Sequence, residues 1–268
     1  MIADTVRAVA GDLAKVESLM QTGVDPHLYK ASQSDVRRLT KADLIFYNGL
    51  HLEGKMGDIL KKVGKRRPVA AIGEVLDKTL LRKPAEYEGA PDPHIWFDVS
   101  LWLKTVDPVV EELKKLRPKS AKVFESNGEK WKTTLKNLDT WVETEIAKIP
   151  EKGRVLVTAH DAFGYFGRRY KIEVVGLQGM STVTQAGLTD VGRVTDLIVK
   201  RGLKAIFVES SVPKRTIEAV QEACKKKGHS VAIGGQLYSD AMGAAGTPEG
   251  NYLGMVRHNV KTIVGALK

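Results

Sequence analysis

Cysteine, aromatic residues and long apolar runs are all scarce in this sequence of 268 residues. The single cysteine, Cys224, excludes an intrachain disulfide and a cluster of thiolate ligands around a metal. No apolar run approaches the roughly 18 residues of a membrane-spanning helix. Aromatic residues make up 6% of the chain and interleave with no basic block, so the net charge of +10 comes without a nucleic-acid-binding motif. We therefore expect no nucleic-acid partner.

Several catalytic motifs are also absent. The chain contains no Gly-x-Gly, which excludes the dinucleotide-binding fingerprint. It contains neither His-Glu-x-x-His nor Gly-x-Ser-x-Gly, which removes the commonest zinc-protease and serine-hydrolase classes.

Short apolar runs alternate with helical patterns along most of the chain, and hydrophobic residues make up 43% of it, enough for one or two cores. Such alternation is typical of βα units with parallel sheets, so we predict the α/β class. The predicted strands are residues 16–20, 44–48, 68–72, 154–159, 173–177, 205–209 and 230–234.

One stretch, residues 119–149, contains no strand pattern and has apolar residues at steps of three and four. A helix of this length would span about 45 Å, more than a small domain. We therefore predict an N-terminal α/β lobe over residues 1–118, a linking helix over residues 119–149 and a C-terminal α/β lobe over residues 150–268. The first lobe opens directly on a helix, and we expect a strand to precede it in the natural protein.

The tripeptide Asp-Pro-His occurs twice, ending at His27 and at His94. Proline fixes the backbone before each histidine, so both rings are presented from a stiff chain, and the aspartate could orient a ring nitrogen or a backbone group. Imidazole is a good ligand for zinc and neighbouring ions. The repeat predicts that both histidines bind metal.

Two further candidates lie where a predicted strand ends: His160 follows an apolar strand directly, and Asp240 comes just after the last strand. Ligands bind at the carboxyl ends of strands in open α/β sheets. Three imidazoles and one carboxylate make a plausible tetrahedral set, so we predict one metal ion held by His27, His94, His160 and Asp240. The other histidines, His51, His229 and His258, are predicted to have surface roles.

Several segments, in the same order along nearly the whole chain, resemble the solute-binding proteins of bacterial zinc and manganese ABC importers, the TroA/ZnuA-like group, and above all its TroA branch. They include Asp25-Pro26-His27, Asn48-Gly49-Leu50-His51-Leu52-Glu53, Asp92-Pro93-His94-Ile95-Trp96, Thr158-Ala159-His160-Asp161 and Ser239-Asp240-Ala241-Met242-Gly243. The resemblance implies two α/β lobes joined by one long helix, with a metal ion in the cleft between them. It assigns the first-lobe ligands to His27 and His94, and those of the second lobe to His160 and Asp240.

The resemblance also implies a role: an extracytoplasmic, non-enzymatic monomer, periplasmic or lipid-anchored, that delivers Zn²⁺ or Mn²⁺ to a membrane permease. The leader that such proteins carry is not in this sequence. Manganese and iron members tend to have glutamate at the third ligand, where this chain has His160, so we expect a site that prefers zinc and accepts manganese. The alternatives are a metallohydrolase with a three-ligand zinc site, or a surface adhesin whose fold a metal stabilises.

Overall fold

The computed structural model describes residues 1–268, which divide into two compact units. The first unit comprises Met1–Gln21 and Pro26–Asp139, and the second comprises Thr22–Asp25 and Thr140–Lys268. Each contains parallel strands and helices, as the predicted α/β class requires.

The helices before the unit boundary are α1 (Ile2–Ala10), α2 (Gln33–Lys41), α3 (Gly57–Gly64), α4 (Val99–Trp102) and α5 (Val106–Leu116). The boundary itself falls within α6 (Ala121–Ile146), and the second unit continues with α7 (Gly164–Tyr170), α8 (Leu188–Arg201), α9 (Arg215–Lys226) and α10 (Tyr252–Leu267). Helix α6 confirms the long helix predicted over residues 119–149. The division into two lobes and a linking helix at the predicted boundaries stays a prediction.

Three pairs of parallel strands make up the sheets. The first unit pairs β1 (Ile45–Tyr47) with β2 (Val69–Ala71). The second unit pairs β3 (Val155–His160) with β4 (Glu173–Gln178), and β5 (Ala205–Glu209) with β6 (Ala232–Leu237). All six strands overlap predicted ones. Parallel pairing brings the carboxyl ends of neighbouring strands to the same edge of a sheet, where the predicted ligands of the second unit lie.

The segment 16–20, predicted as a strand, forms none. Its backbone carbonyls accept hydrogen bonds from arginine side chains: Arg7 donates to Val16 and Arg38 to Ser18. Two of its apolar residues, Leu19 and Met20, pack against the core of the first unit. The prediction was wrong because a short apolar run can pack as a loop as well as a strand, and periodicity alone cannot separate the two.

The last strand, β6, begins two residues later than predicted and continues through Gly234 and Gly235. The strand has a register shift opposite Ile206 and Phe207. A side chain at Gly234 would lie 2.7 Å from Ala266 of α10, and one at Gly235 would lie 2.5 Å from Thr262. The two glycines therefore allow close helix packing, where the sequence pattern indicated the end of a strand.

Buried apolar residues at helical spacing and capping side chains account for where the helices form. In the last two turns of α6, Leu138, Val142 and Ile146 are buried at helical spacing. Helix α2 begins at a capping box in which Ser32 and Asp35 each accept from the other's backbone N–H. None of the helices is both long and apolar enough to span a membrane.

Candidate metal centre

The first unit brings two of the predicted ligands together. The Nε2 atoms of His27 and His94 are 3.4 Å apart, and both side chains are buried. Two buried imidazole nitrogens at this distance, facing each other, are suited to share a cation.

Asp92 orients His94 through two contacts. Its Oδ1 lies 2.7 Å from Nδ1 of the His94 ring and accepts a hydrogen bond from the backbone N–H of His94 at 3.0 Å. Because Nδ1–H is directed at a carboxylate, the lone pair of His94 is on Nε2, the atom that faces His27. Asp92 is fully buried and forms an ion pair with Arg82, which balances its charge. The sequence left open whether the aspartate of this tripeptide orients a ring nitrogen or a backbone group, and Asp92 contacts both in His94.

The second unit brings the other two predicted ligands together. His160 is the last residue of β3, and its Nε2 lies 3.3 Å from Oδ2 of Asp240, in the loop after β6. Both side chains are buried. As in the first unit, an imidazole Nε2 faces a second potential ligand.

Sequence reasoning missed Glu209, which does for His160 what Asp92 does for His94. Its carboxylate accepts a 2.7 Å hydrogen bond from the His160 backbone N–H and forms a short contact with Nδ1 of the ring. Glu209 is the last residue of β5 and is buried. The available signal was a lone acid ending an otherwise apolar strand.

The environment of His160 favours a proton when no metal is bound. Burial by itself lowers the pKa of the imidazole, but the carboxylates of Glu209 and Asp240 outweigh it and raise the pKa well above its usual value. A metal ion binds only neutral imidazole, so it must displace this proton.

The remaining histidines are not part of these two pairs. His51 is exposed, and His229 and His258 donate from Nε2 to the backbone carbonyls of Leu203 and Gln236. Cys224, in α9, is buried.

Comparison with known proteins gives matches along the whole chain. The family model for the periplasmic component A of zinc-uptake complexes matches residues 1–266. The manganese-binding lipoprotein MntA of Bacillus subtilis is 52% identical over 267 residues, covering 100% of this chain and 87% of that protein. The zinc-binding protein TroA of Treponema pallidum is 48% identical over 269 residues, covering 100% of this chain and 86% of that protein.

Solved structures agree with these sequence matches. The periplasmic zinc-binding protein TroA from Treponema pallidum has a TM-score of 0.97 at 48% identity, covering 100% of this chain and 96% of that one. Fe(III)-bound YtgA from Chlamydia trachomatis has a TM-score of 0.90 at 30% identity, covering 99% of this chain and 94% of that one.

Proposed function

This chain belongs to the family of periplasmic zinc-uptake component A proteins, and from that premise we propose that it captures a transition-metal ion and delivers it to the membrane permease of an ABC importer. Its relatives are described as lipoproteins or as periplasmic proteins, which implies a place outside the cytoplasm. Within that location, our proposal is a monomer without catalytic activity, free in the periplasm or anchored by a lipid.

The observation that carries the proposal is the chemistry of the buried donors. We propose that His27, His94, His160 and Asp240 together bind one ion, with three imidazole nitrogens and one carboxylate. Four protein ligands fill the shell of zinc, whereas a catalytic zinc keeps a position open for water. The set therefore suits a protein that carries a metal rather than one that uses it.

Zinc and manganese are the two cargoes to separate. Zinc binds more tightly than manganese at nearly any such site, and a nitrogen-rich set increases the difference. Among the relatives, one is named for manganese and another for zinc. We propose a site that binds zinc most tightly and also accepts manganese.

The test exchanges the third ligand for an oxygen donor. His160→Glu alone would place a carboxylate against Glu209, whose charge would complicate the result. The comparison is therefore between Glu209→Gln and the double variant His160→Glu with Glu209→Gln, titrated with each metal against a competing chelator. We expect zinc affinity to fall more than manganese affinity in the double variant.

Three outcomes would contradict the proposal. An unchanged ratio of zinc affinity to manganese affinity would show that the third ligand does not set the preference for zinc. Elemental analysis of protein from metal-replete cells that found no transition metal, or more than one ion per chain, would remove the four-ligand site. A water-accessible metal with hydrolytic activity would favour the metallohydrolase instead.

A further inference from the structure

The metal ligands His94 and Asp240 lie in loops, where no regular hydrogen-bond ladder fixes the backbone. A buried asparagine holds the chain next to each of them. We propose that Asn48 and Asn259 are positioning residues that keep these two ligands in metal-binding geometry. The inference rests on the proposed function and identifies residues that no ligand motif includes.

In the first unit the asparagine acts on the peptide bond that leads into His94. Nδ2 of Asn48 donates to the carbonyl of Pro93 at 3.0 Å, and the side chain is 1% exposed. The other side of the same peptide bond, the N–H of His94, donates to Asp92. The plane of the Pro93–His94 peptide is thus fixed at both its oxygen and its nitrogen, which sets the direction of the His94 side chain.

Asn48 is itself held on both sides. Its backbone N–H donates to Oε1 of Glu53 at 2.7 Å, and its carbonyl accepts from the N–H of Gly73 at 2.9 Å. A side chain at Gly73 would lie 2.7 Å from that carbonyl, so only glycine permits the approach. Because these contacts hold the main chain of Asn48, its side-chain amide has a fixed position, and its hydrogen bond fixes the position of the Pro93 carbonyl.

In the second unit, the side-chain amide of Asn259 bonds to the backbone of Tyr238 in the way a neighbouring strand would. Oδ1 of Asn259 accepts from the Tyr238 N–H at 2.9 Å, and its Nδ2 donates to the Tyr238 carbonyl at 2.7 Å. Tyr238 follows the end of β6 and lies two residues before Asp240. The primary amide makes the two hydrogen bonds that another strand would make, and α10 holds it, with the side chain 2% exposed. Helix α10 therefore fixes the backbone between the end of β6 and Asp240.

Partners that orient metal ligands typically contribute 10–100-fold to metal affinity. Asn48 and Asn259 act one step further away, through the backbone, so we expect about 10-fold for each. A side chain with a purely structural role would lower the stability of the fold and leave the affinity of the folded protein unchanged.

The experiment separates these two roles with a third asparagine as the control. Asn127 also donates from Nδ2 to a backbone carbonyl, that of Val9, at 3.1 Å, but neither residue adjoins a proposed ligand. The variants Asn48→Ala, Asn259→Ala and Asn127→Ala are compared in the full chain by thermal unfolding without metal and by zinc titration against a chelator. We expect all three to be less stable, and the zinc Kd to rise about 10-fold for the first two only.

If either alanine variant fails to fold, Asn48→Leu or Asn259→Leu takes its place, because leucine removes the amide at a similar size and adds no charge. A zinc Kd for Asn48 and Asn259 variants that matches the unsubstituted protein, or rises no more than that of Asn127→Ala, overturns this inference alone. An unsubstituted protein that binds no zinc overturns the proposed function, and this inference with it.

Discussion

The two units hold their pairs of proposed ligands in similar ways but differ in the charges around them. In the first, Asp92 orients His94 and its own charge is balanced by Arg82, so the two proposed ligands are imidazoles beside a charge-balanced carboxylate. In the second, Glu209 orients His160 without a lysine or arginine partner, and Asp240 adds a second carboxylate. In the proposed site, the first unit contributes two imidazoles, and the second contributes the carboxylate charge that offsets a divalent cation.

This difference predicts that ligand losses in the two units are unequal, and these are the largest effects. Structural zinc sites with four ligands bind with about 10–16 kcal/mol, so one ligand is worth about 3 kcal/mol, or roughly 100-fold in Kd. We expect that for His27→Ala. Asp240→Ala also removes a charge from a buried site, so its zinc Kd should rise about 10-fold further.

Chelator competition at one pH measures both variants of this pair. Equal losses of zinc affinity for His27→Ala and Asp240→Ala would mean that the negative charge that offsets the cation does not come mainly from the second unit. That result would contradict the comparison. A zinc Kd unaffected by either change would exclude that residue from the ligand set.

The next effects come from the carboxylates behind the histidines. Glu209→Gln removes a buried carboxylate that pairs with the His160 ring and with no lysine or arginine, so its main cost in the metal-bound protein should be zinc affinity, toward the upper end of the 10–100-fold range. Asp92→Asn leaves Arg82 without its ion-pair partner, so it should lose less affinity but about 2 kcal/mol of folding stability, since Arg82 is partly solvated.

Zinc titration and chemical unfolding, run on both carboxylate variants, should therefore rank them in opposite orders. If both measurements ranked the variants in the same order, the ion pair with Arg82 would not account for the predicted difference between the two units.

A smaller effect, graded with pH, should arise in the second unit. The pKa of His160 is raised by Glu209 and Asp240 against the effect of burial, so zinc must displace a proton below that pKa. Each pH unit of acidification in that range should weaken zinc binding by up to 10-fold. Glu209→Gln should flatten this dependence because the pKa of His160 falls.

The folding stability of the metal-free protein should change with pH in the opposite direction from zinc affinity. A histidine whose pKa is raised by folding stabilises the fold while it is protonated, fully below the unfolded value of about 6.5, and this contribution is lost as the pH rises through the raised pKa. Denaturant unfolding of metal-free protein from about pH 6 upward should show a decline that Glu209→Gln reduces. An unchanged slope in that variant would contradict the assignment to His160.

Local patterns in the sequence predicted most of this arrangement. The steps of three and four in α6 and the short apolar runs of the six strands predicted these elements. The candidate histidines were chosen because they end a strand or follow a proline, and their binding of one ion stays a prediction. Glu209 and Asn259 were not predicted because their partners, His160 and Tyr238, are distant in sequence or lie in another element. No local pattern encodes which strand neighbours which, and the outer contacts of the metal ligands depend on that.

The smallest expected effect concerns two histidines outside the proposed site, one in each unit. His51 is exposed and has a φ of 65°, in the left-handed region that costs a non-glycine residue about 1–2 kcal/mol. His51→Gly removes that cost, and the greater freedom of glycine in the unfolded chain offsets about half of it. We expect a gain of about 0.5 kcal/mol, or roughly 1 °C in Tm, with the zinc Kd unchanged.

The matched change in the second unit is His229→Gly. The backbone at His229 is not left-handed, and its ring donates to the Leu203 carbonyl at 2.8 Å, so this variant should lose about 1 kcal/mol. Thermal unfolding should therefore move the two variants in opposite directions while zinc titrations of both coincide with the unsubstituted protein. A weaker zinc Kd for His51→Gly would instead show that the turn after β1 is coupled to the metal ligands, since Asn48, which holds the Pro93–His94 peptide, lies only three residues earlier.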